Sequence, residues 1–165
     1  MIPATQRYAV ETGLMLACQV PAESEARVLA AIRDAAPLTW GDYDAVSFAS
    51  AEGRQDFRSL GSGRNAATQT PVSVPCIELR IFLKTEQAPA VVAAIYATHP
   101  YEEPVITLWP ASRTLHRRGQ DEDNPNRFWN RDTADWVPAA HQHRPGRDAT
   151  AKAPTPAGSR RSARQ

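Results

Sequence analysis

The hexapeptide His99-Pro100-Tyr101-Glu102-Glu103-Pro104 joins an alanine-rich segment, residues 91–97, to a strand-like segment, residues 105–109. Each proline fixes its own φ angle and disfavours a helical conformation in the residue before it, so the pair predicts the end of a helix and the start of an extended strand. The hexapeptide also carries an imidazole, a phenol and two carboxylates. It therefore predicts a helix-to-strand junction and a candidate ligand site at the same place.

The clearest strand of the sequence precedes this helix. Residues 76–83 alternate between large aliphatic side chains and a mixed set, with the period of two that is typical of a strand with one buried face. One side carries Ile77, Leu79, Ile81 and Leu83, and the other carries Cys76, Glu78, Arg80 and Phe82. Thr85 is placed to cap a helix over residues 86–97.

The first half of the sequence predicts the order strand, helix, strand. Residues 13–20 alternate as a strand, and residues 23–36 place apolar side chains at helical spacing. A second strand is expected over residues 45–51, and residues 53–58 are either its extension or the return strand of a hairpin. Residues 61–75, rich in glycine, serine and threonine, are expected to form a loop long enough to contact a ligand or another subunit.

The predicted element order is therefore β-α-β-β-α-β. Two split βαβ units of this kind give an α+β fold, the ferredoxin-like plait, which is a four-stranded antiparallel sheet with two helices on one face. In this plait the first and third strands lie side by side in the middle. Cys18 falls on the helix-facing side of the first strand and Cys76 on the opposite side of the third, so we expect two packing residues and no disulfide.

The other face of the sheet has no helix to cover it, yet its expected side chains are partly apolar. They are Cys76, Glu78, Arg80 and Phe82 from the third strand, with Met15 and Ala17 from the first. Leaving a large apolar side chain in water forfeits roughly 1.5–3 kcal/mol of transfer free energy. We therefore expect this open face to meet a second copy of the same sheet with closed symmetry, and the alternative is cover by the chain's own extension.

A set of glycine and aromatic positions, taken together with the later elements, resembles one known domain. The positions are Gly41, Tyr43, Phe48, Gly53, Phe57 and Arg58, followed by the strand 77–83, the alanine-rich helix and the hexapeptide 99–104. Over about residues 12–110 the chain resembles the PII/CutA-like domain inserted in bacterial members of the Ngg1-interacting-factor-3-like family, which also occurs as short stand-alone proteins. The resemblance implies a ferredoxin-like, PII/CutA-like fold that assembles as a homotrimer.

The function expected from these features is that of a non-catalytic binding or regulatory module, with a small-molecule or protein partner in clefts between subunits. We expect these clefts to be lined by the loop 61–75 and by six ligand-binding residues, His99, Tyr101, Glu102, Glu103, Tyr43 and Arg58. An enzymatic role is not favoured, because the sequence shows no Ser/His/Asp or Cys/His arrangement and no glycine-rich phosphate loop.

The chemistry of the hexapeptide leaves two interpretations open. His99 and Glu103 supply nitrogen and oxygen ligands that suit a divalent metal ion, which would make the chain a metal-binding protein akin to CutA. Adjacent glutamates, however, point to opposite sides of an extended strand. In the structural alternative His99 caps the helix, Tyr101 packs, and the carboxylates pair with arginines of a neighbouring subunit.

The charge of the chain is uneven, although its net charge is only +1. The last residues, 144–165, are rich in proline and small side chains and carry an excess of basic residues, namely Arg144, Arg147, Lys152, Arg160, Arg161 and Arg164. Such a tail is expected to be disordered. Its basic side chains raise the alternative of a nucleic-acid-associated protein, which the sequence disfavours.

The predicted organisation has four parts. These are a lead-in over residues 1–12, the ferredoxin-like domain over 13–110, an extension over 111–143 that is anchored by the aromatic residues Phe128, Trp129 and Trp136, and the basic tail over 144–165. The sequence has no apolar run of membrane-spanning length, no signal-peptide pattern and only two cysteines. A soluble cytoplasmic protein is therefore expected.

Overall fold

The structure is a computed structural model that describes residues 2–120, residues 122–127 and Asn130. The chain divides after Gln120 into two units, and the fold below is that of the first unit. In the second unit the side-chain amide of Asn130 donates to the backbone oxygens of Glu122 at 2.7 Å and Asn124 at 3.0 Å. The aromatic residues Phe128, Trp129 and Trp136, and the basic tail, lie outside the described residues.

The first unit contains five strands and two helices. The strands are β1 (Tyr8–Val20), β2 (Phe48–Ala49), β3 (Gly53–Phe57), β4 (Val72–Leu83) and β5 (Ile106–His116), and the helices are α1 (Glu25–Ala35) and α2 (Ala88–Thr98). Each helix is preceded by a single 3₁₀ turn. No helix within the described ranges is long and apolar enough to cross a membrane.

The sheet has the strand order β2-β4-β1-β5 with antiparallel pairing throughout, so β1 and β4 are central as the sequence predicts. Strand β3 also pairs with β4 and continues the line of β2, which makes it the extension and not a hairpin return. The pairing moves by one residue between Ala49, opposite Leu79, and Gly53, opposite Cys76. One extra residue on the β2–β3 side is therefore accommodated as a bulge.

The core lies between the sheet and the two helices. Leu16, Cys18 and Val20 of β1 pack there with the aliphatic face of β4, and the helices contribute Val28, Ile32, Val91 and Ile95. This confirms the predicted α+β, ferredoxin-like arrangement with both helices over one face. Both cysteines are free and buried, and burial raises the pKa of Cys18 to about 12, so its thiol stays protonated.

The structure corrects several predicted strand boundaries. Residues 8–12 belong to β1 and not to a lead-in, and residues 111–116 belong to β5, because these two stretches pair with each other from Tyr8 opposite His116 onward. The predicted second strand, 45–51, is regular only at β2, and the loop expected to run to residue 75 ends where β4 begins at Val72.

Gly13 lies in the interior of β1, which begins at Tyr8, and is not the first residue of the strand. A Cβ atom at Gly13 would lie 2.6 Å from Cζ of Phe82 and 2.3 Å from the backbone oxygen of Leu83. Real Cβ atoms essentially never approach so closely, so glycine is required where the Phe82 ring crosses β1.

Candidate functional site

His99 fixes the start of the hexapeptide to the end of α2. It is the C-cap residue of that helix, and its backbone N–H donates to the Ile95 oxygen at 2.8 Å. The buried ring uses both nitrogens, since Nδ1 accepts the backbone N–H of Tyr101 at 3.0 Å and Nε2 lies 3.0 Å from the Gln19 oxygen. An accepting Nδ1 leaves the proton on Nε2, so the ring is neutral and donates to Gln19.

The environment of His99 favours this neutral form. Burial lowers the pKa of His99 below its usual 6.5, and the charge of Arg27 lowers it further, while the hydrogen bond to the Gln19 carbonyl partly opposes the shift. The structure therefore shows the helix-capping arrangement that the sequence offered as the structural alternative.

A metal ion at His99 and Glu103 does not fit the ring as it is placed, because neither nitrogen is free. No group of three or more His, Cys, Asp or Glu side chains able to hold a metal occurs in the part of the chain that the structure describes. Glu103 is exposed and has no hydrogen bond or ion pair within the same residues. The metal site stays a prediction, and it requires the ring to exchange one hydrogen bond for a metal bond.

Tyr101 links the hexapeptide to the end of β3. Its half-buried ring lies against His99, with ring centroids 5.0 Å apart, and against Phe57, with centroids 5.6 Å apart. Burial raises the pKa of the Tyr101 phenol, so the hydroxyl stays protonated at neutral pH. Tyr101 therefore packs, as the structural alternative predicted.

Glu102 links the hexapeptide to the long loop between β3 and β4, residues 58–71. Its Oε2 accepts the backbone N–H of Arg64 at 3.2 Å. A Cβ atom on Gly63 would come within 2.7 Å of the same oxygen, so the carboxylate fills the space beside that glycine. One predicted cleft residue, Glu102, therefore contacts the predicted loop within a single chain.

The loop is closed on itself at its base. Ser59 and Thr68 exchange backbone and side-chain hydrogen bonds at 3.0–3.2 Å, and the Ser59 hydroxyl donates to the Asn65 oxygen at 3.0 Å. Gly61 has a φ angle of +83°, which favours glycine. A cleft of about 330 Å³ opens here, lined by Arg58, Ser59, Leu60, Ala67, Thr68 and Gln69. Arg58 thus lines a cleft within the loop of a single chain, and its predicted place in a cleft between subunits stays a prediction.

Tyr43 is placed elsewhere. It forms a tight turn with Trp40 through paired backbone hydrogen bonds, and its side chain is exposed. Trp40 packs on Phe82, which lies opposite Met15 of β1, whereas His99 contacts Gln19, four residues further along the strand. Four residues of a strand span roughly 13 Å, so Tyr43 is not brought to the hexapeptide.

The open face of the sheet is partly covered by the chain itself. Phe82, for which the sequence predicts cover by a second copy of the sheet, is only 6% accessible within a single chain because Trp40 packs edge-on to its ring at 6.1 Å and the Arg113 guanidinium lies 4.4 Å from its centroid. Arg113 also pairs with Glu11 at 2.5 Å and donates to the Thr39 oxygen, which holds the 37–46 turn on the sheet.

An apolar groove remains beside this cover. It has a volume of about 410 Å³ and is lined by Met15, Trp40, Val46, Ser47, Phe48, Arg80, Phe82 and Trp109. Two of its aromatic side chains are well exposed, Phe48 at 59% and Trp109 at 41%. Sequence reasoning missed Trp109, although it lies opposite Met15 and the alternation of β5 places it on this face.

No protein-family model matches the chain, and no curated protein matches it. Among solved structures it is similar to a Bacillus cereus protein related to NIF3, with a TM-score of 0.54 and 21% identity over 69% of this chain and 29% of that one. CutA1 from Shewanella sp. SIB1 gives a TM-score of 0.47 at 19% identity over 61% and 81% of the two chains. The CutA1 divalent ion tolerance protein from Ehrlichia chaffeensis gives 0.46 at 12% identity over 65% and 84%.

These similarities concern the fold. The chain spans less than a third of the length of the Bacillus cereus protein; the TM-score of 0.54 supports a shared fold, and an identity of 21% supports nothing about activity. The TM-scores for the two CutA1 proteins lie below 0.5, and no property of this chain is inferred from them. The resemblance noted in the sequence is therefore supported at the level of the domain fold.

Proposed function

We propose that this protein is a non-catalytic binding or regulatory module that self-associates as a homotrimer through the open face of its sheet, with ligand sites where the hexapeptide meets the loop 58–71. The observation that carries the proposal is the apolar groove on that face, with Phe48 and Trp109 exposed at its rim.

The cost of leaving the groove in water supports self-association. Phe48 is 59% exposed and Trp109 is 41% exposed. Aromatic side chains carry about 150–250 Å² each, so burying the exposed parts contributes about 2–3 kcal/mol per side chain. In a closed cyclic trimer a different patch of the neighbouring subunit covers the groove, so the symmetry buries the groove on every subunit. The trimeric number itself rests on the sequence resemblance.

The state of the buried groups supports binding without catalysis. Both ring nitrogens of His99 are hydrogen-bonded, and burial keeps the Cys18 thiol protonated. A general base or a nucleophile needs a free lone pair beside its substrate. Glu102 and Glu103 of the hexapeptide and Arg58 and Arg64 of the loop are exposed, and such charged groups suit recognition of a charged partner.

The decisive experiment is the subunit number in solution. Native mass spectrometry and sedimentation velocity on the full chain at micromolar concentration should give a trimer. Trp109→Glu places a charge in the groove and should give a monomer, whereas Tyr96→Glu, which changes a 57%-exposed ring on α2, should leave the trimer intact. A monomeric wild-type protein, or a Trp109→Glu protein that still forms trimers, would overturn the proposal.

A further inference from the structure

The carboxylate of Glu102 occupies a backbone turn of the loop. Its Oε2 accepts the Arg64 N–H at 3.2 Å, and it fills the space that a side chain on Gly63 would need. Backbone N–H groups of a glycine-containing turn favour an anion, because their partial positive charges converge on it. Glu102 is exposed, so this contact competes with water and is weakly held.

The loop carries more positive charge than Glu102 neutralises. The guanidinium groups of Arg58 and Arg64 have no ion pair in the ranges that the structure describes, and Arg58 lines the cleft at the loop base beside the hydroxyls of Ser59 and Thr68. Arginine binds planar or tetrahedral oxyanions through several donors at once. The loop therefore offers the Arg64 backbone N–H to the Glu102 carboxylate and carries two guanidinium groups, that of Arg58 at its base and that of Arg64 at the turn.

We propose that the turn 62–65 is a binding site for an oxyanion, a phosphate or a carboxylate, and that Glu102 occupies it as an internal competitor. A ligand of this class displaces the Glu102 carboxylate and so releases the loop from the hexapeptide. The inference rests on the proposed function, which places the ligand at this junction, and it adds the chemical class of the ligand and the residue that regulates access.

The test is a competition measured at the Arg64 backbone amide. Inorganic phosphate and acetate are titrated, at constant ionic strength set with sodium chloride, into the ¹⁵N-labelled full chain. In Glu102→Gln the Arg64 resonance should shift with at least one of the two anions at a half-saturation concentration about five- to ten-fold below that of the wild type, as loss of one charged competitor predicts. Glu86→Gln, at an exposed glutamate of the 3₁₀ turn before α2, is the matched control and should behave like the wild type.

A second variant removes the contact while keeping the charge. Gly63→Ala places a methyl group 2.7 Å from Glu102 Oε2, at the end of a flexible side chain that can swing away. The same methyl group fills the space in which an oxyanion would sit, so this variant should lose the contact with Glu102 without the gain in anion affinity of Glu102→Gln. A gain equal to that of Glu102→Gln would contradict the placement of the anion at this turn. A response to phosphate alone identifies a phosphate site, and a response to acetate alone identifies a carboxylate site.

Three other results would overturn the inference. They are an Arg64 amide that neither anion shifts in Glu102→Gln, equal half-saturation concentrations in that variant and the wild type, and an equal gain in Glu86→Gln. The subunit number is measured separately, so a monomer that shows the competition would refute the trimer and leave the oxyanion site standing. A trimer without competition would do the reverse.

Discussion

Replacing His99 with alanine should destabilise the protein and also change how its stability depends on pH. The variant removes two hydrogen bonds of the ring, to the Gln19 oxygen and from the Tyr101 N–H, and the aromatic contact with Tyr101. Each hydrogen bond contributes about 1 kcal/mol, and the Gln19 oxygen and the Tyr101 N–H, both partly buried, add a desolvation cost when they lose the ring. We expect the free energy of unfolding to fall by about 2–4 kcal/mol.

The pH dependence identifies the ring as the cause. The pKa of His99 is lowered in the folded protein, so in the range below the usual 6.5 the unfolded chain binds a proton more readily than the folded one. Stability is therefore complete above this pH and is lost as the pH falls through 6.5 towards the lowered pKa of the folded state. Protonation of Nδ1 also takes up its lone pair, so the ring loses the hydrogen bond from the Tyr101 N–H.

The assay is urea unfolding followed by tryptophan fluorescence, from about pH 8 to about pH 5, at one fixed protein concentration because self-association adds to stability. Wild type and His116→Gln, a change at an exposed histidine of β5, should lose stability in parallel as the pH falls. His99→Ala should lack the part of the slope that begins near the usual histidine pKa. An unchanged slope in His99→Ala, or a loss of stability below about 0.5 kcal/mol, would refute the reasoning.

Three further outcomes follow from buried contacts. Gly13→Ala should lower the free energy of unfolding by about 1–3 kcal/mol through overpacking against Phe82, and a midpoint equal to that of wild type in urea would contradict the close approach. Arg113→Met should cost about 3 kcal/mol, because Glu11 loses a partner with 5% side-chain exposure, and a neutral effect would show that the ion pair is dispensable. Cys18 should resist iodoacetamide in the native protein at neutral pH and react in urea, and rapid native labelling located by mass spectrometry would refute its burial.

Local patterns were enough to predict the helices, the central strands and the junction at the hexapeptide. The alternation of residues 76–83 and the two prolines are signals that neighbouring residues carry on their own, and the helix-capping interpretation of His99 follows from its position after α2. The paired ends of β1 and β5 had no such signal. They depend on an ion pair between Glu11 and Arg113, residues 102 positions apart, and on backbone hydrogen bonds between polar segments.

The cover over Phe82 was missed for a related reason. Nothing in the sequence around Trp40 indicates that its turn folds back on the sheet, because the turn is held there by Arg113 from a strand end that the apolar pattern did not extend to. The contact of Glu102 with the loop also joins residues that are far apart, 38 positions in this case. The side-chain types in the hexapeptide suggested a site, but only the fold shows that His99 and Tyr101 are engaged in hydrogen bonds and packing within the domain.

The side chains of the hexapeptide divide into those that hold the fold and those that can contact a ligand, and only the second group can determine the ligand specificity of the proposed site. The side chains of His99 and Tyr101 turn inward and hold the hexapeptide to β1 and β3, so they fix geometry whatever the ligand is. Glu102 is engaged by the loop backbone. The exposed groups left to discriminate between ligands are therefore Glu103 of the hexapeptide and Arg58 and Arg64 of the loop. Exchanging loop residues between proteins of this fold should alter which ligand binds, whereas exchanging the hexapeptide should alter the stability of the domain and, through Glu102, the affinity for the ligand.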